Sequence, residues 1–439
     1  MAKLKELWKQ VMDSLWLVPG LLTVSAVVLA VLLMRVDSML VGGELARDMW
    51  WLFGGTAQGG REVLSVIAAS IITVTGVVFS ITIVALQLAS TQLSPRVLRS
   101  FMADRPTQVV LGVFIGTFTY ALMVLRAVRQ SGDDIDGFMP SASITGAVVL
   151  MLVSIGFLIF FIHHVARSIQ AGALVDRVTR ETHEVIRRLF RPLGEESDER
   201  PADVIPPEEP AVVGAREAGY ILRMDEQDAA AEAAGHDPPL TVRMERKVGD
   251  FVLPGEPLMA VWPAAALDDG LADGLRENVV LGTERTPHQD VAYGIVELVD
   301  IAVKALSPGI NDPNTAVVVI DRLSELYHAL AQRALGPVVR RQEDGTVMIL
   351  AHPAFETLLN DGIDPIRHFG AGTPLVALHL IDALSGLAAR LEGEPRAAVA
   401  RCIADVARQA AASEADAADR ERVRRAAEAA LGGAQAGMA

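Results

Sequence analysis

The sequence predicts an α-helical membrane domain with four transmembrane helices, followed by a cytoplasmic α+β domain that contains a small β unit. Four long apolar stretches within the first 162 residues support the membrane domain, because about 20 mostly apolar residues cross a bilayer. Charge divides the chain in the same way. Residues 1–191 hold 17 basic and 13 acidic residues, whereas residues 192–439 hold 22 and 41. Apolar and polar residues alternate over 240–245, which is typical of a half-buried strand.

The apolar stretches occupy about residues 15–34, 63–89, 109–125 and 143–162. The first is longer than the apolar core of a signal peptide and precedes three more, so we expect it to remain as a span. Arginines are concentrated at 96–105 and 167–191, which assigns both segments to the cytoplasmic side. Four crossings then place both termini in the cytoplasm.

The second span carries small and polar residues on one side. Thr73, Gly76, Ser80 and Gln87 recur at helical spacing. One interpretation is a seam at which helices pack closely, and the other is a polar path through the membrane. Lipid offers no hydrogen-bond partners, so we expect this side to meet another subunit or a pore, which predicts a homo-oligomer. Neighbouring helices of the same chain are the alternative.

Beyond the last span, apolar residues at helical spacing extend the membrane domain to residue 191 as an amphipathic helix. His183 and Glu184 do not form a zinc motif, because Arg187 stands where the second histidine is needed. The charged, proline-rich segment 192–210 is predicted to be a linker, and 211–439 the cytoplasmic domain. Its acidity argues against nucleic acid as a partner. A single cysteine, Cys402, excludes an internal disulfide.

Residues 248–262, with the sequence VGDFVLPGEPLMAVW, resemble the hammerhead of biotinyl and lipoyl carrier domains. Those carriers present a lysine on the following hairpin, where this chain has Pro263, Ala264 and Ala265. The resemblance therefore concerns the fold, and we expect no attached cofactor. A β-hairpin is predicted at 338–350 through Asp344 and Gly345.

A helix, turn and helix follow the β unit. Thr286 is predicted to cap the first helix, whose polar side, with Asp290 and Glu297, is expected to face water. The next helix begins with an aspartate cap and a first-turn proline. The turn between them is a candidate motif that consists of Ser307, Pro308, Gly309, Asn311, Asp312 and Pro313. It is either structural or a ligand contact through backbone N–H groups, although the charge of Asp312 opposes an anion.

Two strings are distinctive in residue type and spacing: VDIAVKALSPGINDPNTA at 299–316 and SITIVALQLASTQLSPRVLRSF at 80–101. They resemble the bacterial predicted membrane proteins of domain-of-unknown-function family 2254, across nearly the whole chain. The resemblance implies a multi-span protein of the bacterial inner (plasma) membrane with a cytoplasmic domain. It carries over no activity and no catalytic residue.

Two functional hypotheses remain open. The first is an oligomeric, channel-like or transport-related protein that passes a small ion or solute and has a cytoplasmic vestibule. The second is a non-conducting membrane-anchored sensor or scaffold whose cytoplasmic domain binds a partner or ligand. We do not expect an enzyme, because no phosphate-cradling glycine loop, zinc-ligand set or nucleophile with an adjacent base is evident. The sequence predicts no catalytic, cofactor-binding or metal-binding residue.

Overall fold

The computed structural model describes residues 16–40, 56–92, 104–129, 138–168, 170–194, 199–413 and 416–436. The chain forms two compact units, a membrane unit within residues 5–170 and a C-terminal unit that begins at Ala171. Most of the predicted basic segment at 96–105 lies outside the described residues.

Among its described residues, the membrane unit contains four helices long and apolar enough to cross a membrane, in agreement with the four predicted spans. They are α1 (Leu17–Leu40), α2 (Ala57–Gln92), α3 (Arg105–Ala127) and α4 (Ser141–Ser168). Each helix extends beyond the C-terminal end of the apolar stretch that predicted it, because the residues that follow continue the backbone hydrogen bonding.

Helices α1 and α3 approach each other closely at two glycines on α3. A Cβ atom added to Gly112 would lie 2.6 Å from Leu22 Cδ1 and 3.0 Å from Pro19 Cα. One added to Gly116 would lie 3.4 Å from Ala26 Cβ. Small residues four positions apart allow such contact between helix backbones in lipid, so Gly112 and Gly116 form the tight seam of this unit.

Buried polar groups tie the helices together near their ends. The carboxylate of Asp37 on α1 accepts hydrogen bonds from the backbone N–H groups of Ala142 (2.8 Å) and Ser143 (2.9 Å). It therefore caps the first turn of α4 from a different helix. Asp104 caps α3 and lies 2.8 Å from Nε2 of His164. These bonds satisfy buried groups that the bilayer could not.

The C-terminal unit begins with α5 (Ala171–Leu189) and continues with further helices and eight strands among its described residues. The helices are α6 (Pro201–Val204), α7 (Glu226–Ala233), α8 (Asp269–Glu277), α9 (Val291–Ala305), α10 (Pro313–Leu330), α11 (Phe355–Gly370), α12 (Pro374–Ala388), α13 (Gly393–Ala411) and α14 (Ala417–Ala436). The strands are β1 (Ala211–Gly214), β2 (Gly219–Met224), β3 (Thr241–Met244), β4 (Phe251–Val252), β5 (Pro257–Trp262), β6 (Val279–Gly282), β7 (Val338–Arg341) and β8 (Val347–Leu350).

The strands form two sheets. One has the order β1-β5-β3-β8-β7, in which only the β3–β8 pair is parallel. The other is antiparallel with the order β4-β2-β6. Strands β7 and β8 form the hairpin predicted at 338–350. The likeness of residues 248–262 to a carrier hammerhead stays a prediction.

The boundary between the compact units differs from the predicted limit of the membrane domain at residue 191. Helix α5 packs on α9 and α10 of the C-terminal unit. Its apolar side, which includes Val175, Val178 and Ile186, is buried. The predicted linker also packs on this unit, since the indole of Trp262 donates a 2.7 Å hydrogen bond to the Glu208 carbonyl. Burial of apolar surface explains both placements.

The first helix of the predicted helix-turn-helix begins later than expected. Thr286 does not cap it, because α9 starts at Val291 with Asp290 as its N-cap. Residues 286–289 form a turn in which Gln289 Oε1 accepts from the Met224 N–H at 3.0 Å. The prediction that Asp290 and Glu297 face water is also wrong, since both are buried.

Candidate ligand-binding cavity

The C-terminal unit encloses an open cavity of about 540 Å³. Its wall is built by the end of α5, the start of α7, the β3–β4 loop, the segment that leads into α9, and strands β7 and β8 with the loop after them. Ten charged side chains line it, of which five are basic (Arg188, Arg191, Lys247, Arg285 and Arg340) and five are acidic (Asp225, Glu226, Asp250, Asp290 and Asp361). A wall with this many ionic groups suits a polar ligand rather than an apolar one.

Arg285, which is partly exposed, and the buried Asp290 form a two-pronged ion pair in this wall. Arg285 Nε lies 2.7 Å from Asp290 Oδ2, and Arg285 Nη2 lies 2.9 Å from Oδ1. Asp290 Oδ1 also accepts from the Tyr293 N–H at 2.9 Å, which caps α9. Burial alone would lower the pKa of Arg285, but the hydrogen bonds and charge of Asp290 raise it above its usual value. The Arg285 guanidinium therefore stays charged.

Gly249 in the β3–β4 loop fits against this ion pair because it lacks a side chain. Its φ of +94° lies in the left-handed region that favours glycine. A Cβ atom at this position would clash with Asp290 Oδ2 and would lie 2.9 Å from Arg285 Nη2. The turn thereby holds the neighbouring residues of its loop close to Arg285.

A second ionic group occupies another part of the wall. Glu226 at the start of α7 binds Arg340 Nη1 at 2.6 Å and faces His352 Nε2 at 3.3 Å. Burial would raise the pKa of Glu226, but hydrogen bonding to His352 and the charge of Arg340 together lower it. The ring of His352 packs edge-on against Phe190, with centroids 5.1 Å apart. His352 Nδ1 is buried and has no hydrogen-bond partner among the described residues, so this wall holds an unsatisfied polar atom.

The predicted polar side of the second span is exposed in the structure. Thr73, Gly76, Ser80 and Gln87 all lie on the exposed side of α2. The opposite side of α2 is buried and includes Leu64, Ile67, Ile71 and Val78. Within the described chain, nothing lies within 4 Å of a Cβ atom added to Gly76.

The hydroxyl groups on this side are satisfied within α2 itself. Thr73 Oγ1 donates to the Ala69 carbonyl at 2.8 Å, and Ser80 Oγ donates to the Gly76 carbonyl at 2.9 Å. These bonds lower the cost of exposing the two residues to lipid.

The candidate turn motif lies outside the cavity. Ser307 Oγ donates to the Lys304 carbonyl at 2.6 Å, and Asn311 adopts a positive φ of 51°. Asp312 caps α10, with its carboxylate accepting from Thr315 Oγ1 at 2.6 Å and from the Thr315 N–H at 3.3 Å. Pro313 opens the helix as predicted. The N–H groups of Asn314 and Thr315 at the start of α10 are thus bonded to Asp312.

Sequence reasoning missed the cavity. The cations near Gly249 come from distant segments with no common motif. Among the described residues, no group of three or more His, Cys, Asp or Glu side chains could hold a metal ion.

Four apolar helices followed by a unit of helices and small sheets define a membrane protein with a large C-terminal extension. The family model described as "Predicted membrane protein (DUF2254)" matches residues 12–386, and the chain belongs to this family. It is 39% identical to "Uncharacterized protein Rv1290c" of Mycobacterium tuberculosis and to "Uncharacterized protein Mb1321c" of Mycobacterium bovis. Each match covers 85% of this chain and 72% of the relative. No solved structure matches the chain significantly.

Proposed function

We propose that this protein is a non-enzymatic, membrane-anchored binding protein whose C-terminal unit captures a small polar molecule in the cavity. The observation that carries the proposal is the cavity itself, about 540 Å³ in volume and lined by ionic groups from several segments. Binding sites for small molecules are typically concave and of about 300–1,000 Å³. This is the second of the two hypotheses drawn from the sequence.

The place of the cavity along the chain supports a sensing role. Its wall includes the last residues of α5, and α5 begins three residues after α4 ends. A ligand that contacts Arg188 or Phe190 would therefore act on the segment that directly follows the fourth candidate span in the sequence. Ligand sensing requires that the ligand bind more tightly when this segment is in one position than when it is in another.

The test is a thermal-shift screen of the full chain in lipid nanodiscs against anionic, neutral and cationic metabolites. Ala292→Trp places a large side chain on the cavity wall, whereas Ala231→Trp places one on the exposed side of α7 outside the cavity. We expect at least one compound to stabilise the wild type and the Ala231 variant but not the Ala292 variant. Stabilisation that is equal in all three proteins would refute binding in the cavity.

A second candidate is the channel-like homo-oligomer, and the exposed position of Thr73, Gly76 and Ser80 on α2 favours it. Single cysteines at Thr73, Ser80 and Gln87 in a Cys402→Ala background would be treated with a water-soluble thiol reagent and with a crosslinker. Labelling of the Ser80 variant together with conductance in planar bilayers supports a pore. Crosslinked dimers without labelling support a dry contact between subunits.

A cysteine at the buried Val78 is the matched control for this experiment, because it lies on the opposite side of α2. Crosslinking at Val78 or at Leu86 in place of Ser80 would contradict the assignment of this face.

We also infer an inner-membrane location with both termini in the cytoplasm. Arginines after the fourth span, such as Arg167, Arg177 and Arg180, support this orientation. Reporter fusions after residues 89, 132 and 439 would test it, and a reporter at 439 that is active in the periplasm would overturn it. The proposed hammerhead-like unit is expected to carry no lipoyl or biotinyl group, so intact mass spectrometry should give the unmodified chain.

A further inference from the structure

We propose that the cavity of the C-terminal unit binds a small phosphate-bearing molecule. The inference rests on the binding function proposed above and names the chemical class of its ligand. Three cationic side chains on one part of the wall, Arg188, Lys247 and Arg285, carry it.

These three side chains belong to distant segments that the fold brings together. A Cβ atom added to Gly249 would lie 2.9 Å from Arg285 Nη2, so the loop at Gly249 contacts the Arg285 guanidinium. Lys247 lies two residues earlier in the same loop. Arg188, at the end of α5, donates a hydrogen bond to the carbonyl of His288. His288 lies two residues before Asp290, which pairs with Arg285. All three line the same cavity.

The carboxylates near these cations offset their charge only in part at the cavity surface. The side chain of Asp290 is 2% exposed while that of Arg285 is 26% exposed, so the carboxylate lies behind the guanidinium. The partner of Arg188 is a carbonyl oxygen, which carries no net charge. Lys247 Nζ and Asp250 Oδ1 form an ion pair at 3.6 Å, which offsets part of the lysine charge but is longer than a hydrogen bond and leaves the ammonium N–H groups to a ligand. This part of the wall therefore presents cationic hydrogen-bond donors to a ligand.

Phosphate matches this arrangement better than a single carboxylate does. A phosphate group offers at least three oxygen atoms that can accept charge-assisted hydrogen bonds from several directions. Arginine binds such groups through its planar fork, and lysine binds them as a point charge. The cavity volume of about 540 Å³ leaves room for an organic group attached to the phosphate.

All five lining carboxylates oppose an anion, and Asp361 among them gives the proposal a test of sign. It makes no ion pair within 4.0 Å among the described residues. Burial raises the pKa of Asp361, while Lys247 and Arg285 partly offset this effect. Because its charge repels phosphate, Asp361→Asn should strengthen the binding of an anion, whereas it would weaken the binding of a cation.

The experiment measures the binding of pyrophosphate, a nucleoside monophosphate and a sugar phosphate to the full chain in nanodiscs of a zwitterionic lipid. Spermidine and a neutral sugar serve as cationic and uncharged probes. The variants are Lys247→Met, Arg188→Gln and Asp361→Asn, with Lys247→Arg as the charge-preserving version. Arg401→Gln is the matched control, since Arg401 is an exposed arginine of the same unit that pairs with Glu356 away from the cavity.

We expect at least one phosphate probe to bind, with affinity reduced about tenfold or more by Lys247→Met and by Arg188→Gln. Lys247→Arg should retain most of the affinity, Asp361→Asn should increase it, and Arg401→Gln should leave it unchanged. Repeating the titration in nanodiscs that contain anionic phospholipid distinguishes a soluble ligand from a lipid headgroup. Weaker binding of the soluble probe in those nanodiscs would identify the headgroup as the source of the phosphate.

The two proposals fail in different ways. If neutral or cationic compounds bind in a manner that Ala292→Trp blocks, while no phosphate probe binds, the cavity is a binding site and the phosphate assignment is wrong. Phosphate binding that is unchanged in the Lys247 and Arg188 variants would also overturn that assignment. If no compound of any charge binds in a manner sensitive to Ala292→Trp, both proposals are refuted.

Discussion

Replacing Asp290 by alanine is expected to destabilise the C-terminal unit far more than the same change at Asp312. Both aspartates are N-caps, of α9 and α10 respectively, and both accept a hydrogen bond from the N–H three residues later. They differ in their other partners. Asp290 is buried and holds Arg285 with two hydrogen bonds, whereas among the described residues the Asp312 carboxylate bonds only to Asn314 and Thr315 of its own helix.

The expected difference follows from these partners. Loss of an N-cap costs about 1 kcal/mol, which is the whole of the expected effect at Asp312. Removing one partner of a buried ion pair costs about 3–5 kcal/mol. Arg285 keeps 26% of its side chain exposed, so water can compensate part of that loss. We therefore assign about 2 kcal/mol to the loss of the ion pair. Asp290→Ala should therefore lower the free energy of unfolding by about 3 kcal/mol.

Equilibrium urea unfolding of the full chain in detergent would measure both variants. The fluorescence of Trp262 can report on the C-terminal unit, because no other tryptophan follows residue 51. A double variant with Arg285→Met completes a mutant cycle and should be less destabilised than the sum of the single changes. Equal losses at Asp290 and Asp312, or a cycle with no coupling, would refute a stabilising contribution from the ion pair.

Three further predictions follow from single positions. Gly112→Ala should destabilise the membrane unit by about 1–3 kcal/mol through contact with α1, whereas Gly76→Ala should leave its thermal stability unchanged; equal effects would contradict the seam. Folding lowers the pKa of Glu226. The contribution of Glu226 to the free energy of unfolding is therefore present above its unfolded pKa of 4.5 and is lost as the pH falls through its folded pKa. The stability gap between wild type and Glu226→Gln should therefore persist at neutral pH and close in acid, as chemical denaturation at several pH values would reveal. Burial raises the pKa of Cys402 to about 12, so a thiol reagent at pH 8 should modify it only in urea, and rapid labelling of the native protein would contradict this.

Local patterns predicted the features that depend on local interactions. The number of spans follows from runs of apolar residues, because a helix that crosses lipid must satisfy its own backbone. The start of α10 follows from Asp312 and Pro313, whose capping geometry involves only the next few residues. The hairpin at 338–350 similarly follows from its turn residues, with Gly345 at a φ of +92°.

The same kind of reasoning failed at α9 for a tertiary reason. Thr286 and Gln289 form a plausible capping pattern, but Gln289 instead accepts from Met224 on β2. The cap passes to Asp290, which Arg285, five residues earlier, and the distant Gly249 hold in place. Burial of Asp290 and Glu297 could not be read from helical spacing, since it depends on what packs against α9.

What the sequence by itself determined is the membrane domain of four spans, the separate acidic domain and the family. Tertiary structure alone decided that α5 belongs to the C-terminal unit, that Gly112 rather than Gly76 lies at a close helix contact, and that a charged cavity exists. The physical reason is the distance along the sequence over which each interaction acts. Hydropathy, caps and turns act over a few residues, whereas the cavity needs Arg188, Lys247 and Arg285 in one place, and only the packing of apolar surfaces between distant segments brings them there.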